Sequence, residues 1–274
     1  MSTSDAARKL ALGQWFTPTW AAECLVEKYF PDLGMWDRVL EPSCGPGAFL
    51  SAIPDSVPAI GVEIDPALAA RARANTGREI IVGDFLTSDI PFSPTAVIGN
   101  PPYKQALIQG FISRAWELLP DGGKCGLLLP VYAFQTPSVV EQLEKKWRLQ
   151  QDLVPRTIFP RLSLPLCFAM LTKGERGLAG FSLYHEAEAV RRLRKRYKAL
   201  LANGEASVWR AVVRAAMVQL GGECTLEQIY AEIEPVRPTA NPFWQAKVRQ
   251  VLQGMAVRLG RGQWALPVDD AVAA

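Results

Sequence analysis

Histidine is nearly missing from this chain: His185 is the single one in 274 residues. That excludes histidine-based triads and multi-histidine metal sites, and one imidazole beside a basic run reads as a surface residue. Cysteine is sparse and scattered, with Cys24, Cys44, Cys125, Cys167 and Cys224 forming no Cys-x-x-Cys pair. An odd, unpaired set argues for a reducing compartment and against a zinc site, so no metal is expected. No apolar run is long enough to cross a bilayer, and Met1 to Lys9 is too polar for a signal peptide, so no membrane contact is expected. The oligomeric state is left open.

Apolar residues make up 49% and charged residues 21% of the chain, values of a globular protein with a full core. Charge is uneven. Residues 181–274 carry 13 Lys and Arg against 9 Asp and Glu, while the rest is close to neutral. A basic C-terminal third points to a polyanionic partner.

The most informative stretch is Ile98-Gly99-Asn100-Pro101-Pro102-Tyr103. Ala96-Val97-Ile98 reads as a buried strand, and two prolines without N–H groups force the chain out of the sheet after it. Asn100 is then a rigidly mounted amide, with Tyr103 as an aromatic plate nearby. Such a device suits a flat group bearing an amine, although Asn-Pro alone is also an ordinary turn opener.

Its surroundings decide between the two. Phe16-Thr17-Pro18 reads as a helix start, with Thr17 as the N-cap and Pro18 at the first position, leading a helix over Thr19 to Tyr29. Val39-Leu40 runs into Glu41-Pro42-Ser43-Cys44-Gly45-Pro46-Gly47, a strand followed by a glycine turn whose Gly45 and Gly47 allow close backbone approach to a ligand. Leu50 stands where a dinucleotide fingerprint has its third glycine, which disfavours NAD or FAD. A second strand, Ala59 to Asp65, presents Glu63 where an acid meets ribose hydroxyls. A third strand, Ile80 to Phe85, ends in Asp84 and Phe85. Gly126 to Pro130 is a fifth strand, and Pro155 to Phe159 and Cys167 to Leu171 read as two more. Four successive strand ends thus carry glycines, Glu63, Asp84 and Asn100, and in an open α/β sheet such ends line one crevice.

Together these residues resemble the class I S-adenosylmethionine-dependent methyltransferases, and within them the DNA adenine-N6 methyltransferases in the gamma motif order. The resemblance covers about residues 13–172. It implies a Rossmann-like, mostly parallel α/β sheet of seven strands and S-adenosyl-L-methionine as cofactor. Phe16, Thr17 and Pro18 resemble the N-terminal cofactor motif, and Glu41, Pro42, Cys44, Gly45 and Gly47 the glycine loop. Glu63, with Ile64 beside it, is similar to the ribose-binding acid, and Asp84 and Phe85 to the adenine-contacting pair. Asn100, Pro101, Pro102 and Tyr103 resemble the catalytic motif. The resemblance implies that Asn100 and the Pro101 carbonyl accept from the amine of a flipped adenine while Tyr103 stacks on it. A second aromatic clamp is expected from Phe159, with Phe168 next.

In the C-terminal third, Arg191, Arg192, Arg194, Lys195 and Arg196 form a run that is either a solvated helix face or a phosphate contact. Asn203-Gly204 reads as a linker. Helices over Ser207–Leu220, Thr225–Glu234 and Pro242–Met255 precede two short apolar runs joined by Gly260-Arg261-Gly262, an order that resembles a winged-helix domain. Its third helix would present Gln245, Lys247, Arg249 or Gln250 to double-stranded DNA, with Arg261 at the wing tip. The expected division is 1–180 for cofactor binding, 181–204 for basic helix and linker, 205–268 for DNA recognition, and 269–274 for a tail. The expected location is cytoplasmic and nucleoid-associated. Methylation of RNA adenine or of protein glutamine remains open at this point, as does an idle DNA-binding accessory role.

Overall fold

Short apolar runs buried on both faces make the centre of the main sheet. In the computed structural model, which describes residues 15–159, 162–185, 207–239 and 241–267, these runs are β1 (Val39–Glu41), β4 (Ala96–Gly99) and β5 (Lys124–Pro130). Every residue of β1 and β4 is buried, the pattern of parallel strands covered by helices on both sides. The chain divides into two units, Met1–Phe181 and Ser182–Ala274.

The first unit holds an eight-stranded sheet in the order β3-β2-β1-β4-β5-β7-β6-β8. Here β2 is Ala59–Glu63, β3 Glu79–Val82, β6 Trp147–Val154, β7 Leu166–Lys173 and β8 Gly177–Ala179. The strands β1 to β5 run parallel, and β7 is antiparallel to both β5 and β6. Because β1 pairs with β2 on one side and β4 on the other, the strand order reverses at β1. In an open α/β sheet that reversal opens a crevice at the carboxyl ends.

Five helices accompany these strands among the described residues: α1 (Thr19–Tyr29), α2 (Ala48–Ala52), α3 (Pro66–Thr76), α4 (Gln105–Leu118) and α5 (Pro137–Glu144). The start of α3 follows from its sequence. Asp65 caps it, its carboxylate accepting from Ala67 N at 2.9 Å, with Pro66 in the first turn, and Gly77 ends it in the left-handed conformation. The core beneath the crevice includes Phe30, Leu50, Ile98, Leu128 and Phe168.

Several expectations need correction. The sheet has eight strands rather than seven, because β6 and the three-residue edge strand β8 were not foreseen. Pro155–Phe159 is not a strand: residues Arg156–Ile158 form a 3-10 turn, consistent with a proline that cannot donate to a ladder. Thr17 does not cap α1. Pro18 takes the cap position without a side-chain bond, and its carbonyl accepts from Ala21 N and Ala22 N.

In the second unit, α6 (Val208–Gln219), α7 (Leu226–Ile233) and α8 (Trp244–Met255) pack around Val212, Ile229, Trp244, Val248, Leu252 and Trp264. Ser207 caps α6, and Thr225 with Gln228 forms a reciprocal capping box on α7. A three-stranded antiparallel sheet runs in the order β10-β11-β9, from Val257–Gly260, Gln263–Ala265 and Glu223–Thr225. The short strand β9, between α6 and α7, was not anticipated. Residues 1–12, the basic residues Arg191, Arg192, Arg194, Lys195 and Arg196, the Asn203-Gly204 segment and the tail 268–274 lie outside the described residues.

Candidate active site

The crevice at the strand reversal is a cavity, and four strand ends converge on it. From the β1 end come Glu41, Pro42, Ser43, Cys44 and Gly45; from β2, Glu63 and Ile64. Asp84 and Phe85 arrive from the end of β3, and Asn100, Pro101 and Pro102 from β4. Trp15, Phe16 and Thr17 close one side. Leu107 and Phe111, one helical turn apart on α4, line it with the exposed Lys104.

Five named residues are not brought there. Pro18 stands back as the α1 cap. Gly47 faces α3: a Cβ on it would lie 2.7 Å from the Thr76 methyl, at a φ of +91°. This glycine therefore serves helix packing rather than close approach to a ligand. Tyr103 packs against the core with its hydroxyl buried. Of the two expected clamps, Phe159 is buried in the core, and Phe168, fully buried on β7, lies 4.7 Å from the Tyr29 ring. Aromatic side chains beside a site are often simply core, and both of these are.

The carboxylates are built into the loop backbone. Glu63, 4% exposed, accepts from Gly45 N at 2.8 Å through Oε2 and from Asp65 N at 2.9 Å through Oε1. Glu41, 2% exposed, accepts from Leu50 N at 3.0 Å. Burial pushes both carboxyls above the ordinary range, Glu41 strongly, with the nearby Glu63 charge adding to its shift and the backbone donors opposing it. Burial likewise pushes the Cys44 thiol up, so this thiol is inert at neutral pH. Asp84 is exposed and accepts from Leu86 N at 2.9 Å. Phe85 is 2% exposed and packs on Phe111 with ring centroids 4.9 Å apart.

Asn100 is held from three directions. Its Nδ2 donates to the Trp15 carbonyl at 2.7 Å and to Thr17 Oγ1 at 3.2 Å, and its own carbonyl accepts from Ser43 Oγ at 3.2 Å. A carbonyl can only accept, so the Trp15 contact decides which end of the amide is nitrogen. The other end, Oδ1, is buried and has no hydrogen-bond partner among the described residues. Burial raises the Tyr103 hydroxyl; the Asn100 side chain is near enough to oppose that shift, yet without hydrogen-bond geometry. The Trp15 carbonyl, Ser43 and the Leu107–Phe111 pair had not been picked out from sequence. The helical spacing of the pair was the one available signal, since a backbone carbonyl has no residue signature.

A large cationic ligand suits this lining. The charged groups of the cavity are Glu41, Glu63, Asp84 and Lys104, with two carboxylates desolvated and one cation exposed at the rim. A buried amide oxygen without a donor additionally asks for an amine.

The fold is that of class I S-adenosylmethionine-dependent methyltransferases. A Listeria monocytogenes protein described as such a methyltransferase superposes with a TM-score of 0.50 at 19% identity, over 60% of this chain and 65% of that one. The M protein of the type I restriction enzyme EcoKI gives 0.51 at 20% identity, over 63% and 47%. By sequence, 96 residues are 41% identical to the type II methyltransferase M.CvrRI of Paramecium bursaria Chlorella virus XZ-6E, covering 33% of this chain and 24% of that protein. A further match, 39% over 88 residues, is to ribosomal RNA small subunit methyltransferase A of Nocardia farcinica, covering 27% and 30%. The chain thus spans less than a third of the length of these relatives. No family model matches it. Among the described residues, no group of three His, Cys, Asp or Glu could hold a metal ion, and no helix is long and apolar enough to cross a membrane.

Proposed function

We propose that this protein transfers a methyl group from S-adenosyl-L-methionine to the N6 amino group of adenine in DNA. The observation that carries the reading is the Asn100 amide, whose nitrogen is pinned while its buried oxygen is left to accept. A cofactor bound in the cavity supplies an electrophilic methyl on a positively charged sulfur. The chain supplies position. Asn100 Oδ1 and the Pro101 carbonyl accept the two N–H groups of the adenine amine, which turns its lone pair toward the methyl. The N–C bond forms as the S–C bond breaks, and the amine releases one proton to solvent. Such positioning by fixed dipoles is worth several orders of magnitude in rate without a strong base.

Around the cofactor, Glu63 takes the ribose hydroxyls with its remaining lone pairs. Ile64 and Phe85 face the adenine ring, and Asp84 meets its amino group. Glu41, with Pro42, Cys44 and Gly45, lines the amino-acid end, and Phe16 and Thr17 form the N-terminal strap over it. The target base is flipped from the duplex to reach Asn100.

The second unit is assigned to DNA as a winged-helix-like reader. Its order of helix, strand, two helices and hairpin supports this, as do the exposed Lys247, Arg249 and Arg261. Gln245 is half-buried and Lys247 bonds Gln250 along the outer face of α8. The basic run 191–196 is assigned to phosphate contact. RNA adenine is the second reading, favoured by the match to a ribosomal RNA methyltransferase.

The test offers genomic DNA, RNA and total protein with radiolabelled cofactor to wild type and Asn100→Ala. Label in DNA as N6-methyladenine, lost at least 100-fold in the variant, is the expected result. Label only in RNA or protein overturns the substrate.

A further inference from the structure

A threonine just before a helix usually turns its hydroxyl to the free N–H groups of the first turn. Thr17 does not. Pro18 holds the cap position instead, its carbonyl accepting from Ala21 N at 3.0 Å and Ala22 N at 3.1 Å, and no side chain caps α1. The freed hydroxyl oxygen, on a residue only 8% exposed, instead accepts from Asn100 Nδ2 at 3.2 Å.

This second contact has a geometric consequence. With the Trp15 carbonyl as its sole acceptor, the amide is tethered at one hydrogen and its plane can swing. With Thr17 Oγ1 on the second hydrogen, both N–H directions are fixed and Oδ1 has one direction left. The bond from Ser43 Oγ to the Asn100 carbonyl fixes the backbone beneath it. Every anchor lies on a segment that lines the cofactor cavity rather than on the catalytic loop itself.

We propose that Thr17 is a positioning residue for methyl transfer, its hydroxyl oxygen holding the Asn100 amide so that Oδ1 faces the substrate amine. The assignment rests on the reading of Asn100 as the amine acceptor. It adds to Thr17 a role in orienting the catalytic group, separate from contact with cofactor.

Two variants and two readouts test it on the full chain. Thr17→Val keeps the shape and removes the acceptor; Thr17→Ser keeps the acceptor. Because an amide misplaced by a fraction of an ångström to an ångström costs on the order of 10- to 100-fold in rate, Thr17→Val is expected to slow single-turnover transfer by that factor. S-adenosylmethionine affinity measured by calorimetry is expected to stay within about threefold, the size of a minor contact. Thr17→Ser is expected to restore the rate. A Thr17→Val rate equal to wild type, a parallel loss of cofactor affinity, or failure of serine to rescue would each overturn the proposal.

The second readout needs no turnover. The chain has four asparagines, Asn75, Asn100, Asn203 and Asn241, so selective 15N-asparagine labelling gives a resolvable set of side-chain amides. The Asn100 pair, assigned by its loss in Asn100→Asp, is expected to shift and exchange faster with water in Thr17→Val while the other three stay put. An unmoved Asn100 pair overturns the clamp. If wild type methylates no adenine, the functional reading falls, and the amide spectra still decide whether Thr17 holds Asn100.

Discussion

Replacing Glu63 by Gln separates the two tasks assigned to this side chain. Its carboxylate oxygens each accept one backbone N–H, from Gly45 and Asp65, and their remaining lone pairs are assigned to the ribose. Glutamine has one acceptor oxygen for those two donors and carries no charge. A hydrogen bond to a charged group contributes about 1.5–3 kcal/mol, so the variant is expected to bind S-adenosylmethionine about 10- to 150-fold more weakly. Stability follows a different course. Burial holds the Glu63 carboxyl above its unfolded value, so on raising the pH the unfolded chain releases this proton first. The folded state therefore loses stability as pH climbs from the ordinary carboxylate range through the raised folded value. Glutamine has no such loss at this position, although Glu41 keeps its own, in the same direction. Melting curves of ligand-free wild type and Glu63→Gln between pH 4 and 8 are expected to diverge in the variant's favour toward high pH. Calorimetry at pH 8 is expected to show the weakened binding. A variant that binds within twofold of wild type, or a gap that moves the other way with pH, refutes the argument.

Gly47→Ala is expected to lower the melting temperature by several degrees, since a left-handed conformation costs a side chain about 1–2 kcal/mol and the new Cβ would overlap the Thr76 methyl at 2.7 Å; an unchanged melt would contradict it. Brief treatment of the native protein with iodoacetamide is expected to give one adduct, at the exposed Cys24, because Cys44, Cys125, Cys167 and Cys224 are buried. Burial pushes the Cys167 thiol up to about 12, and peptide mapping by mass spectrometry checks the single site. Lys247→Ala and Arg249→Ala are each expected to lower the slope of log DNA affinity against log salt by about one. Titrations at several salt concentrations read this, and unchanged slopes would remove α8 from the DNA contacts.

The strands legible in the sequence were those whose burial on both faces makes a continuous apolar run. Ala96-Val97-Ile98 and Gly126 to Leu129 needed no partner information. In contrast, Trp147-Arg148-Leu149-Gln150-Gln151-Asp152-Leu153-Val154 is a strand with buried, half-buried and exposed positions mixed, and Leu153 is 80% exposed. Its place in the sheet comes from pairing with β7 rather than from any pattern of its own. The strand β9 is three residues held by β11, equally invisible locally. Pro155 to Phe159 shows the opposite error, in which a few apolar residues suggested a strand but form a turn.

At the candidate site, side-chain identity identified Glu41, Glu63, Asp84 and Asn100 as residues that meet in one cavity. Direction was not legible. Nothing in the letters Tyr103, Phe159 or Phe168 tells whether a ring faces a ligand or the core, and none of the three lines the cavity. Thr17 was read as a cap because cap statistics concern the helix after it, whereas its partner lies far along the chain.

That distance has a consequence for how the protein assembles. The bonds from Asn100 reach Trp15, Thr17 and Ser43 across 85, 83 and 57 residues. Bringing such remote positions together removes chain entropy before any of these contacts forms, so helices and adjacent strands condense ahead of them. In refolding from denaturant, methyl-transfer competence is therefore expected to return later than far-ultraviolet ellipticity, with the amide mount among the last parts of the molecule to set.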